Sequence, residues 1–218
     1  FPLTVFVITF IDNAINLIDG IDGLAGGLAM LALMGFCFIF GHAQLVPYAI
    51  VVVSLIGVLI PYMRYNIWGK AEQNRKIFMG DSGSLTLGFI LGFLFVKSAM
   101  HNPPLMTGSP TRFMLAYSLL VVPVFDVVRV ILHRLRTRQP LFNADKNHIH
   151  HKLIRLGMTQ HQALICILGL AVAYVAVNLL LFTTISITAI VLIDVAVFTV
   201  MQLLLTRKVE RKELKIAA

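Results

Sequence analysis

Seven apolar runs divide the chain, at roughly residues 1–18, 22–41, 46–64, 83–100, 112–133, 162–182 and 185–206. Each comes close to the roughly 20 residues a helix needs to cross a bilayer's hydrocarbon core. The pattern predicts an all-α fold, a polytopic integral membrane helical bundle of about seven transmembrane helices. Residues 1–206 read as one transmembrane unit, with polar loops at 64–83 and 134–161, and residues 207–218 as a basic tail. One stretch breaks the apolar pattern most sharply. Asn13–Gly27 places two carboxylates, two carboxamides and four glycines between two apolar runs. Polar and ionisable groups at membrane depth are expensive and by default mark function.

Composition excludes a soluble protein. The chain of 218 residues is 58% hydrophobic and 13% charged, with a mean hydropathy of +0.87, whereas soluble domains carry about 25% charged residues. It opens on Phe1 inside an apolar run, with no charged leader or small-residue cleavage site, so a C-terminal piece of a longer protein is expected rather than a signal peptide. Cys37 and Cys166 both fall within apolar runs and read as small buried hydrophobes, not as a disulfide or metal pair.

The net charge of +8 is arranged by topology. Arg64, Lys70, Arg75 and Lys76, then Arg134, Arg136, Arg138, Lys146, Lys152 and Arg155, then Arg207, Lys208, Arg211, Lys212 and Lys215 occupy alternate connections. The intervening connections, around 41–46, 101–111 and 183–185, are bordered only by Lys97 and Arg112. Basic residues stay cytoplasmic, so the first set faces the cytosol; no separable basic face points to nucleic acid. The Asn13–Gly27 stretch, Met79–Ser84 and His148–His151 all fall on that side, so three distant polar segments are expected to converge.

Asn16, Asp19 and Asp22 recur every three residues, which on a helix would place them along one side; Gly20 and Gly23 favour turns instead. Their oxygens suit a hard cation such as Mg²⁺ or the N–H groups of a nucleobase; helix capping is the bland alternative. Asp81, in Gly80-Asp-Ser-Gly-Ser84, precedes an apolar run. It reads as a helix N-terminus suited to phosphate and a phosphate-bound cation, or as a plain cap. The loop Pro140–Lys152 holds His148, His150 and His151 with Asp145, Lys146 and Lys152. It could bind anionic phosphate and sugar groups, hold a transition metal, or stay idle. Asn66 is a substrate contact or a cap. Asp126 and Arg129, three apart, are expected to pair on one helix face, and Asp194 lies mid-span without an evident partner.

In this order, Asn16-Leu-Ile-Asp19-Gly-Ile-Asp22-Gly-Leu, Phe78-Met-Gly-Asp81-Ser-Gly-Ser and His148-Ile-His150-His151 resemble motifs of the polyprenyl-phosphate N-acetylhexosamine-1-phosphate transferases. The resemblance runs along essentially the whole chain. Ile149 interrupts the histidines and Lys152-Leu153 follow them, which resembles the GlcNAc-1-phosphate branch more than the phospho-MurNAc-pentapeptide translocases. Full members have more spans than the seven drawn here, and an earlier Asp-Asp-x-x-Asp motif that this chain lacks. The isolated chain is therefore expected to be inactive.

The resemblance implies a bacterial inner-membrane enzyme with its site facing the cytoplasm. It would transfer N-acetylhexosamine 1-phosphate from a UDP-sugar, expected to be UDP-GlcNAc, to undecaprenyl phosphate, releasing UMP. That is a first membrane step of envelope polysaccharide synthesis. It implies Mg²⁺, with Mn²⁺ as the substitute, held by Asp81 and Asn16. Asp19 and Asp22 join Asp81 as catalytic residues that contact nucleotide or support the metal. Asn66, His148, His150 and His151 would bind substrate. A homodimer stays open. The rival readings are an ion-coupled transporter, which would place polar groups near the midplane between repeats, and a non-catalytic membrane scaffold.

Overall fold

The computed structural model describes residues 1–100, 109–138, 140 and 148–217, with side chains to 215. They form eight helices: α1 Pro2–Ile18, α2 Leu24–His42, α3 Val46–Trp68, α4 Gly80–Ala99, α5 Pro110–Thr137, α6 Ile149–Arg155, α7 Gln160–Leu181 and α8 Ile187–Ala217. A 3₁₀ turn, Ala71–Gln73, lies between α3 and α4. Six of the helices (α2 to α5, α7 and α8) are long and apolar enough to cross a membrane. The expected first span is shorter: α1 has 17 residues and stops where Asp19 and Gly20 begin the polar turn. The expected count of about seven is thus six full-length helices and one short apolar one.

Two other boundaries differ from expectation. The loop 134–161 contains α6, a helix of seven residues, too short and too polar to leave a periodic signal. Helix α8 continues without a break into the basic residues after 206 and reaches Ala217. At 1.5 Å per residue its 31 residues span about 46 Å, well beyond the hydrocarbon core.

Local signals explain the starts. Thr159 and Gln162 form a reciprocal capping box before α7, satisfying two amide groups that the first turn would leave open. Pro110 opens α5, where its missing N–H costs nothing. Helix α2 is central, touching α1, α3, α4, α5 and α7, and Phe36, Phe40, Leu28 and Leu33 fill the interior around it. Large apolar side chains such as Val58, Ile60, Ile165, Leu180 and Leu192 are exposed on the outer helices. Such a surface requires lipid in place of water, and the chain is a multi-pass membrane protein. Cys166 is exposed on that surface rather than buried, and Cys37 is half-buried; both are free.

The seam that positions the site joins α1 to α4. Lipid tails are as apolar as leucine, so helices in a bilayer associate through close packing rather than through water exclusion. Ser84, Gly88 and Gly92 recur every four residues on α4 and make such a face. A methyl group on Gly88 would lie 2.7 Å from both Cα and the carbonyl oxygen of Asp12, and one on Gly92 would lie 3.1 Å from Cα of Ile8. Because Gly88 meets backbone, α1 itself would have to move. Gly88→Ala is expected to cost about 1–3 kcal/mol, the usual range for overpacking. It should lower the detergent-solubilised protein's melting temperature; an unchanged value would contradict this packing.

Candidate functional site

Helix α1 ends at Ile18, and Asp19 follows as its C-cap, its N–H reaching the Asn16 carbonyl at 3.2 Å. Gly23 then opens α2 with φ +81°, a left-handed conformation that costs glycine little and other residues much. Neither α1, α2 nor α4 has a side-chain cap bond at its N-cap, so the bland explanation for the carboxylates does not describe their bonding. Instead the Asn16 amide donates across the seam to Ser84 Oγ at 2.8 Å and to Asp81 Oδ1 at 3.3 Å. Asp81 stands exposed in the first turn of α4, where the helix dipole favours negative charge.

Asp22 and Asn66 form a second group. Lys76 Nζ lies 2.7 Å from Asp22 Oδ2 and also donates to the Asn66 carbonyl. The Asn66 side chain accepts from Gly23 N–H at 2.6 Å and donates to the Ile77 carbonyl at 2.8 Å. Asn66 is 4% exposed. Both ends of its amide are occupied within the protein, so as the structure stands it fastens the Asp22 turn to the segment that leads into α4.

The histidines occupy the start of α6. His148 precedes the helix, and its Nδ1 lies 2.8 Å from Asp126 Oδ2 on α5. His150 is 1% exposed. It is flanked by the His148 ring, nearly parallel at 5.8 Å, and the His151 ring at 4.2 Å. His150 packs directly on Gly20: a methyl group there would collide with Nε2 and Cε1 of its ring. Lys152 is buried and donates to Gln202 and Thr206 of α8 at 2.9 and 2.8 Å. That anchors α6 to α8 and takes the ammonium away from the role of an open anion contact. Asp145 and Lys146 of the expected loop lie outside the described residues.

The three polar segments therefore meet at one end of the bundle, which also carries Lys76, Arg134, Lys152 and the basic end of α8. The Asp19 carboxyl is pushed up to about 6 by burial first, then by the negative charges of Asp81 and Asp22. His150 is pushed down to about 4 by burial, then by His151 and His148, with Asp126 opposing. At neutral pH His150 is thus an uncharged imidazole, able to hydrogen-bond but not to offset phosphate charge. Lys76 balances Asp22, whereas among the described residues no ion pair reaches Asp19 or Asp81. Among the described residues no three His, Cys, Asp or Glu side chains form a ready metal cage. A cation of the Mg²⁺ type does not need one, because it takes one or two carboxylates and completes its shell with water and phosphate. Asp81 and Asp19, with uncompensated charge and the amide of Asn16 beside them, fit that donor set.

Four residues joined to the site carried no site role in the sequence reading: Lys76, Ser84, Gly20 and Asp126. Lys76 and Ser84 flank the Gly-Asp motif closely enough for a helical spacing argument to reach Ser84. Asp126 looked accounted for by Arg129, whose Nε does lie 3.7 Å from Oδ1. Asp194, which has no evident partner in the sequence, accepts from Asn178 Nδ2 at 2.8 Å and from the Tyr117 hydroxyl at 3.1 Å. These join α5, α7 and α8 away from the basic end.

Comparison with known proteins gives a family match and a set of named relatives. Residues 1–99 match the family model described as glycosyl transferase family 4. The chain is 32% identical over 165 residues to the undecaprenyl-phosphate alpha-N-acetylglucosaminyl 1-phosphate transferase of Escherichia coli K12, covering 76% of this chain and 43% of that protein. It is 35% identical over 171 residues to a probable undecaprenyl-phosphate N-acetylglucosaminyl 1-phosphate transferase of Bacillus subtilis, covering 77% and 44%. To a decaprenyl-phosphate N-acetylglucosaminephosphotransferase of Mycobacterium leprae it is 32% identical over 190 residues, covering 80% and 46%. The chain spans less than half the length of these curated relatives.

Proposed function

We propose, from the match of residues 1–99 to the glycosyl transferase family 4 model, that the protein transfers N-acetylhexosamine 1-phosphate to a polyprenyl phosphate. The donor is UDP-GlcNAc and the acceptor undecaprenyl phosphate, at the cytoplasmic leaflet of a bacterial inner membrane. The observation that carries this reading is the meeting of Asn16, Asp19 and Asp22 with Asp81, from segments far apart in sequence, with no ion pair at Asp19 or Asp81 among the described residues. The basic residues at the same end support the orientation.

In this reaction a phosphate oxygen of the lipid attacks the β-phosphorus of the donor. The bond between that phosphorus and the bridging oxygen breaks, and UMP leaves with the electron pair. Bringing these phosphates together requires positive charge placed in advance. Asp81 and Asn16 hold the divalent cation, Mg²⁺ or Mn²⁺, with Asp19 beside them; when bound it neutralises phosphate oxygens and orients donor and acceptor. Asp22, kept in place by Lys76, contacts the nucleotide. His148, His150 and His151 line the sugar-phosphate side, where neutral His150 orients rather than neutralises. No covalent intermediate is needed, since the acceptor brings its own nucleophilic oxygen.

The test is UMP release from UDP-GlcNAc by the complete gene product with polyprenyl phosphate and Mg²⁺. Accumulation of lipid-linked GlcNAc supports the reading. Transfer from UDP-MurNAc-pentapeptide alone would place the protein in the other branch, and no transfer from either donor would end it.

A pH effect follows from Asp19. Its carboxyl, raised to about 6, takes up a proton as pH falls through that value, and proton and cation compete for the same charge. Apparent Mg²⁺ affinity, by calorimetry with donor absent, is expected to be flat above about pH 7. Below pH 6 it should fall, approaching one decade per pH unit. Affinity indifferent to pH between 5 and 7 would remove Asp19 from the cation's surroundings.

A further inference from the structure

We propose that Asp126 is a positioning residue for this reaction, fixing the tautomer of His148 and the start of α6 so that the histidine row meets the Asp19–Gly20 turn. The inference rests on the transferase reading above but concerns a residue that reading does not use.

The Asp126 side chain is fully buried on α5. Oδ2 lies 2.8 Å from His148 Nδ1, and the backbone N–H of Ile149 reaches Oδ1 at 3.2 Å and Oδ2 at 3.3 Å. A carboxylate that accepts at this contact makes Nδ1 of His148 the donor, and in the neutral ring Nε2 is then the nitrogen that can accept. His148 makes no cap bond of its own to α6; the buried carboxylate supplies the cap from another helix. Arg129, one turn further along α5, places Nε 3.7 Å from Oδ1.

One group thus sets two things that a simple cap would not. A carboxylate on Nδ1–H orients the imidazole and raises the basicity of the other nitrogen. By holding the first residue of α6, the same carboxylate fixes where His150 falls, and that ring closes over Gly20. The row therefore depends on a side chain 22 residues upstream. Asn at this position could still accept from Ile149 N–H, but its NH₂ could also donate to Nδ1 and select the opposite tautomer.

The experiment compares wild type, Asp126→Asn, His148→Ala and the double variant in the complete gene product, each normalised to folded protein. Asp126→Asn is expected to lower kcat about 10- to 100-fold, the range seen when an imidazole's partner is lost. KM for the donor should change less than about threefold. In the His148→Ala background the same change should cost less than about threefold more, because it acts through the imidazole. Losses that multiply in the double variant, or a lower melting temperature with unchanged kcat, would overturn the proposal and leave Asp126 a structural cap. The ¹⁵N shifts of His148 in wild type give a readout independent of turnover and of whether Asp126→Asn folds. An Nδ1–H tautomer supports the proposal, and an Nε2–H tautomer overturns it. Absence of transfer by wild type would refute the functional reading instead, while the tautomer would still decide the role of Asp126.

Discussion

Asp81→Asn in the complete gene product is expected to lower kcat for sugar-phosphate transfer by at least about a thousandfold, or about 4 kcal/mol of transition-state stabilisation. The substitution keeps size and the hydrogen bond to Asn16 but removes charge where phosphates must gather. Asp81 is exposed in the first turn of α4, beside Asn16 and Ser84 and, among the described residues, without an ion-pair partner. Its charge is therefore free to hold a cation. Asp22→Asn should cost less, because Lys76 already balances that carboxylate at 2.7 Å. Equal losses at the two positions would contradict the division of labour drawn from their partners.

The second large effect involves no charge. Gly20→Ala adds one methyl group where the His150 ring lies, in collision with Nε2 and Cε1. His150 is 1% exposed and held between His148 and His151, so its ring cannot turn aside without disturbing the row. Activity is expected to fall about a hundredfold, since small misplacements in a positioned site carry such costs. Gly57→Ala is the matched control. Nothing lies within 4 Å of a methyl group there, and alanine is the better helix former by about 0.5–1 kcal/mol. Comparable losses in both would contradict the contact with His150 as the cause of the loss at Gly20.

These expectations separate what sequence could and could not reveal. Asn16, Asp19, Asp22 and Asp81 were conspicuous because polar groups between apolar runs are costly, and the alternation of basic residues placed them at one end. The helical bundle followed from run length for the same reason. What stayed hidden depended on partners distant in the chain. Arg129 sits three residues from Asp126 and offered a sufficient local explanation, so the bond to His148 could not be inferred. Asp194 seemed alone because Tyr117 lies 77 residues away and Asn178 16. Gly20 signals backbone freedom in the sequence, whereas in the fold its contribution is the missing side chain beneath His150. Lys76 belongs to the charges that orient the protein in the membrane, and it also neutralises Asp22. Helix α6 is too short for any periodicity to show.

The central claim is that Asp81 brings a divalent cation onto the donor phosphates at this end of the bundle. Electron–nuclear double resonance on the complete gene product, loaded with Mn²⁺ and UDP-GlcNAc, tests it most directly, because phosphorus bound to the metal gives a measurable ³¹P coupling. That coupling is expected in wild type and its loss in Asp81→Asn at equal Mn²⁺ and donor concentrations. The same ³¹P coupling at undiminished occupancy in Asp81→Asn would contradict it.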